Sequence, residues 1–209
     1  MKIHPHKPAL VLPILALLAV LCATSGCSNF RVGGSGGSGT MSSESSSTLF
    51  KASLPTRAYT SKDANTADIY LTDLSDEDLT IFFQSETNWT SLSGSMVHIH
   101  LFLNPKPGKT PIESTAANAT IRYIILVDGQ IGVYDGAGFI LPSKKIGKKT
   151  LAGTLRNAPA QLTRKTTGFS DLLGITRIDL SFSAKRNAPK ADALADRLNA
   201  LSSAAEPID

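Results

Sequence analysis

The chain has 209 residues, a net charge of +4 and two cysteines. That length supports one domain with room for a sizeable core. So small a net charge argues against a general polyanion binder, and nucleic acid is not an expected partner.

Lys2 and Lys7 open the chain, and an apolar run follows from Ala9 to Ala23, interrupted by Pro13. As a helix that run rises about 22 Å, short of the ~30 Å hydrocarbon core of a bilayer. A basic start, a short apolar core and small residues after it predict a secretory signal peptide over residues 1–26. An uncleaved membrane anchor is the alternative, and the run is at the short end for one.

The leader ends in Thr24-Ser25-Gly26-Cys27, which resembles the lipobox of bacterial lipoproteins. Thr24 stands where that family usually carries leucine. Cys22 is a poor acceptor because the bulky Leu21 precedes it. The resemblance implies that the Cys27 thiol takes a diacylglyceryl group and that a peptidase cuts before it. Cys27 then becomes the first mature residue, with an acylated amine. Its three acyl chains exceed the two signals needed for stable anchoring. In the family, Ser28 after the cysteine favours an outer membrane where the envelope has two. The resemblance thus implies a cell-membrane lipid anchor with an extracytoplasmic domain.

Cleavage would remove Lys2, Lys7 and Cys22 and lower the net charge to +2. Cys27 would be the remaining cysteine, so no disulfide, thiolate nucleophile or cysteine metal cluster is expected downstream. Residues 28–48 read SNFRVGGSGGSGTMSSESSST. This Gly/Ser-rich composition has little to bury, so residues 27–48 are expected to be a disordered lipidated tether. Residues 49–209 are expected to form a single β-rich domain.

Period-two patterning dominates that domain. Ala67–Asp73 reads as a strand. Ser75 and Asp78 suggest a capped turn or one helical turn, and Leu79–Gln84 a short strand, with Trp89 in or near the core. In Met96–Leu103 (MVHIHLFL), Val97, Ile99, Leu101 and Leu103 share one face and His98, His100 and Phe102 the other. Asn104–Asn118, with Pro105, Pro107 and Pro111, is a long loop. Thr120–Val127, Asp128-Gly129 and Gln130–Tyr134 form a hairpin on a type I′ turn. Ile121, Tyr123, Ile125 and Val127 face one way and Ile124 and Leu126 the other, as in a central strand covered twice.

Gly136 and Gly138 suggest a bend before Phe139–Leu141. Thr150–Leu155 and Ala160–Thr166 read as two strands joined around Asn157 and Pro159. Ser170–Leu173 reads as a helical turn capped by Ser170. Thr176–Ala184 alternates, with Ile178, Leu180, Phe182 and Ala184 inward. About eight short strands predict a mainly β fold, a β-sandwich or barrel-like domain. After Asn187, Pro189 suits a helix start. Ala191, Leu194, Leu198, Leu201 and Ala205 recur at helical spacing, so residues 189–205 are expected to form an amphipathic helix, one that docks on the sheet in preference to meeting a partner helix.

His98 and His100 present two imidazoles about 7 Å apart on one strand face, a spacing able to share a metal. Further ligands would have to be carboxylates, and none stands at a recognisable spacing. No nucleophile-elbow motif accompanies a serine. Lys144, Lys145, Lys148 and Lys149 bracket Ile146-Gly147 in a basic loop, either a solvated tip or a surface for anionic headgroups. The glycines of DGQIGVYDGAGF precede no helix and read as turn residues. Asn88-Trp89-Thr90 and Asn118-Ala119-Thr120 match a glycosylation acceptor that carries no meaning in a bacterial lipoprotein. The expected function is therefore an envelope lipoprotein with a non-enzymatic binding or structural domain and no cofactor, meeting an envelope protein or surface polymer. The alternative is a metal-dependent envelope enzyme built on His98 and His100.

Overall fold

A computed structural model describes residues 37–84, 91–105 and 116–208. The expected leader, Cys27, the first part of the expected tether, Trp89 and its acceptor motif, and most of the expected proline-rich loop lie outside the described residues.

The fold is mainly β. Its strands are β1 (Ser38–Ser43), β2 (Leu49–Ser53), β3 (Thr56–Thr60), β4 (Ala67–Thr72), β5 (Gly94–Leu101), β6 (Ala119–Val127), β7 (Gln130–Gly138), β8 (Ile140–Pro142), β9 (Thr150–Lys165), β10 (Thr176–Arg186) and β11 (Glu206–Pro207). Among the described residues two helices accompany them, α1 (Asp76–Gln84) between β4 and β5 and α2 (Ala188–Ala204) before β11. All lie in the unit Ser35–Asp209.

The strands follow the order β11-β9-β7-β6-β5-β4-β3-β10-β1-β2, and β9 also pairs with β10. That second pairing closes β9, β7, β6, β5, β4, β3 and β10 into a ring, a barrel in topology. The β1–β2 hairpin continues the sheet outside the ring along β10. Closure comes from the parallel pairs Lys185–Ala58 and Arg186–Tyr59, next to which β1 takes up the rest of the same β10 edge. The ring buries its strand edges against one another, which removes an aggregation hazard.

Side chains fill the ring, as expected for a barrel of this strand number. Tyr59, Tyr123, Tyr134, Met41, Ile69, Ile99 and Ile121 are buried there. Loops from opposite ends of β9 add to the filling. Ile146 enters from the loop before β9, and Phe169 and Leu173 from the loop after it. The tip of the Phe169 ring abuts Gly132, where a Cβ would sit 2.2 Å from its Cζ. The Tyr134 hydroxyl donates to Asp171 Oδ1 at 2.6 Å, tying that loop to the lumen.

A second apolar layer lies outside the ring. Tyr70, Met96, Ile124, Leu126, Ile131 and Val133 meet Ala191, Leu194, Leu198, Leu201 and Ala205. The helix therefore docks in cis and covers the second face of β6, as the doubly apolar pattern of that strand requires. Asn187 caps α2 by accepting from the Lys190 amide. Asp128 and Gly129 take positive φ of 47° and 74° in the two-residue hairpin turn, with Val127 paired to Gln130.

Four expectations are corrected. Residues 38–48 do not belong to a tether: Ser38–Ser43 is a strand on β10, and Met41 is 0 % exposed in the core. Backbone pairing and one buried methionine suffice where the polar sequence offers no other signal. Leu79–Gln84 is not a strand but the continuation of α1. Ser75 Oγ accepts from the Asp78 amide and Asp78 Oδ2 from the Ser75 amide, both at 3.0 Å, a reciprocal cap that launches the helix. Thr150–Lys165 is one long strand; Asn157 at φ 53° makes a bulge that bends it from β10 toward β7. Ser170–Leu173 is irregular rather than helical, because Asp171 captures the Leu173 and Gly174 amides at 3.0 Å. The expected mainly β, barrel-like fold is what the structure has; among the described residues the sheet has eleven strands, those beyond the expected eight or so being short or drawn from the polar stretch before residue 49.

Candidate functional site

Strand alternation sends every second residue of β4–β7 outward, and below the part covered by α2 these residues are polar. One cross-strand row reads Tyr70, His98, Arg122, Asp135; the next reads Asp68, His100, Thr120. His98 and His100 share a face, as expected from their spacing. The missing carboxylate is Asp68, from the neighbouring strand. Its Oδ1 lies 3.0 Å from His98 Nε2 and 2.8 Å from His100 Nδ1.

Hydrogen bonds from the histidines hold the Asp68 carboxyl below its ordinary value. An ionised carboxylate only accepts, so both rings must donate to it. Neutral His98 then carries its proton on Nε2 and neutral His100 on Nδ1. His98 Nδ1 and His100 Nε2 are left as the acceptors of the pair. The His98 ring stacks on Tyr70, with centroids 4.6 Å apart and planes 4° from parallel. Burial, helped by Asp68, Asp192 and Asp196, pushes the Tyr70 phenol up to about 12.

Arg122 forks onto Asp135, Nε to Oδ1 at 2.8 Å and the second nitrogen to Oδ2 at 3.2 Å. Thr163 Oγ1 donates to the same Oδ2 at 2.8 Å. The bond to Asp135 raises the Arg122 pKa. Asp68, Arg122 and Asp135 carry no motif in the sequence. The one available signal was alternation, which places Asp68 opposite the buried Ile69 but names no partner. Among the described residues, no group of three or more His, Cys, Asp or Glu is arranged to hold a metal ion.

The four lysines lie elsewhere, in the loop between β8 and β9. Lys144, Lys145, Lys148 and Lys149 are all exposed, while Ile146 between them is buried. The Tyr59 hydroxyl donates to the Lys148 carbonyl, and Arg186 donates to the Gly147 carbonyl at 3.2 Å. Gly147 turns the loop at φ 82°. The basic loop is thus a pinned structure rather than a loose hairpin tip.

These features define a filled, closed β-barrel-like domain with one helix on its flank, a polar strip beside that helix and a basic rim at one end. Comparison with known proteins returns no match: no family model, no curated protein and no solved structure aligns with the chain.

Proposed function

We propose that the chain is a lipid-anchored bacterial envelope protein, held by acylated Cys27, whose domain is a binding or structural module. The leader and its lipobox support the anchor. One observation carries the reading of the domain: its lumen is filled with side chains, so a partner is met on the outer surface. That partner is an envelope protein or a surface polymer, and the polar strip from Asp68 to Asp135 is where its contacts would be most directional. Cys27→Ala is expected to move the protein from the membrane fraction to the soluble fraction. Continued sedimentation with membranes would overturn the anchor.

A second reading, a metal-dependent enzyme, draws on the convergence of His98 and His100 on one carboxylate. Elemental analysis of purified protein tests it. A stoichiometric metal that disappears in His98→Ala would favour it, and a metal-free wild type would end it.

A further inference from the structure

The direction of β1 fixes where the N-terminal segment joins the domain. Ser43 pairs with Thr176 and Ser38 with Ser181, so tracing the chain back from Ser38 leads toward the Lys185–Arg186 end of β10. The Lys149 carbonyl accepts from the Arg186 amide at that end, and Lys185 pairs with Thr150. Ser181 and Arg186 are five residues apart on one strand, about 17 Å. Ser181 is the midpoint of β10, so the chain joins the sheet about 17 Å from the basic loop, on a strand whose N-terminal end points toward that end of β10.

That end is strongly and openly basic. Lys144, Lys145, Lys148, Lys149, Lys185 and Arg186 are exposed. Among the described residues none of these six enters an ion pair; Arg186 reaches only the Gly147 carbonyl. Asp63, in the β3–β4 loop at the same end, turns its carboxylate onto the Asn65 and Thr66 amides at 2.7 Å. Buried Ile146 and the Tyr59 bond hold the loop in place, so the lysines are presented without first having to be ordered.

We infer that this end of the barrel docks on anionic lipid headgroups of the membrane in which Cys27 is anchored, setting the domain on that membrane with its basic rim down. The inference rests on the lipid-anchor reading. The ten residues between Cys27 and Ser38 span at most about 35 Å. An anchored domain is thus confined near the surface, where weak headgroup contacts become effective. Each lysine adds roughly fivefold in affinity for an anionic surface at low salt.

The test uses the chain from Ser28 to Asp209, without leader or lipid site, since the unit Ser35–Asp209 contains the entire described core. It is sedimented with vesicles of phosphatidylcholine alone or mixed with phosphatidylglycerol. Binding is expected only to the mixed vesicles, lost in high salt and weakened roughly a hundredfold or more by Lys→Glu at 144, 145, 148 and 149 together. Circular dichroism checks that the variant is folded. Absent binding, binding indifferent to phosphatidylglycerol, or binding unchanged in the variant would overturn the proposal. Lysine-dependent binding to soluble polyphosphate with none to vesicles would also overturn it, in favour of a polymer. Fractionation of full-length Cys27→Ala reports on the anchor separately, so either claim can fail while the other stands.

Discussion

The polar strip and the basic rim both concentrate charge, and they treat it in opposite ways. On the strip Asp68 answers two histidines, and Arg122 answers Asp135 and, through it, Thr163. Those groups sit on five neighbouring strands and are only partly exposed, so a wrong register would leave them unpaired. At the rim the backbone is pinned while the lysines reach into solvent without acidic partners among the described residues. Charge spent on internal pairing helps specify the fold, and charge left open on a rigid frame is available to an outside surface. The overall net charge of +4 hides this division, because the strip pairs its charges internally and the described rim lysines do not.

The largest expected break in the comparison comes from beneath the rim. Ile146→Ala should cost about 2–4 kcal/mol of unfolding free energy, since a packed side chain leaves a cavity. It should also release the lysine loop, read as faster amide exchange at residues 143–149. A loss below half a kcal/mol would mean the loop is not held by the core. Next comes the strip: Arg122→Met should cost about 1–2 kcal/mol in denaturant unfolding, because a half-buried Asp135 loses its bidentate partner while its bond from Thr163 remains.

Asp68→Asn should have a smaller effect, visible in the pH profile. The Asp68 pKa is lowered in the folded state. Its contribution is therefore present above the unfolded value of 3.8 and lost as pH falls through the lower folded value. The wild type should lose stability relative to Asp68→Asn in that acid window, and parallel profiles would show that the carboxylate is not engaged. Smallest of all, Lys→Gln at all four loop positions should change unfolding free energy by no more than about 0.5 kcal/mol. A large destabilisation there would place the lysines with the strip, as parts of the fold.

Particular residues show how far the chain could be read without its structure. Asp128-Gly129 announced its hairpin because the I′ turn demands positive φ at both positions, a purely local requirement. The α2 stripe and the two-sided β6 pattern were equally legible, and together they implied the docked helix. Asp68 as the partner of His98 and His100 was not legible, because the pairing spans about thirty residues and depends on the β4–β5 register. Asn157 and Pro159 looked like a break because a bulge and a turn use the same residues. Leu79–Gln84 offered a short apolar run compatible with strand or helix. The reciprocal cap at Ser75 and Asp78, together with Arg197 Nε donating to the Leu79 carbonyl from α2, accompanies its helical form.

The sequence alone determined what depends on neighbours along the chain: the alternation that makes the domain mainly β, the hairpin turn and the amphipathic helix. Tertiary structure decided what depends on register and closure. It turned Met41 from a linker residue into core, closed the ring through β9 and β10, and brought Asp68 to two histidines. It also set β1 so that its N-terminal end points toward the end of β10 that carries the lysine loop. Backbone pairing between distant strands leaves almost no mark on composition, and for that reason these features appear only in the folded chain.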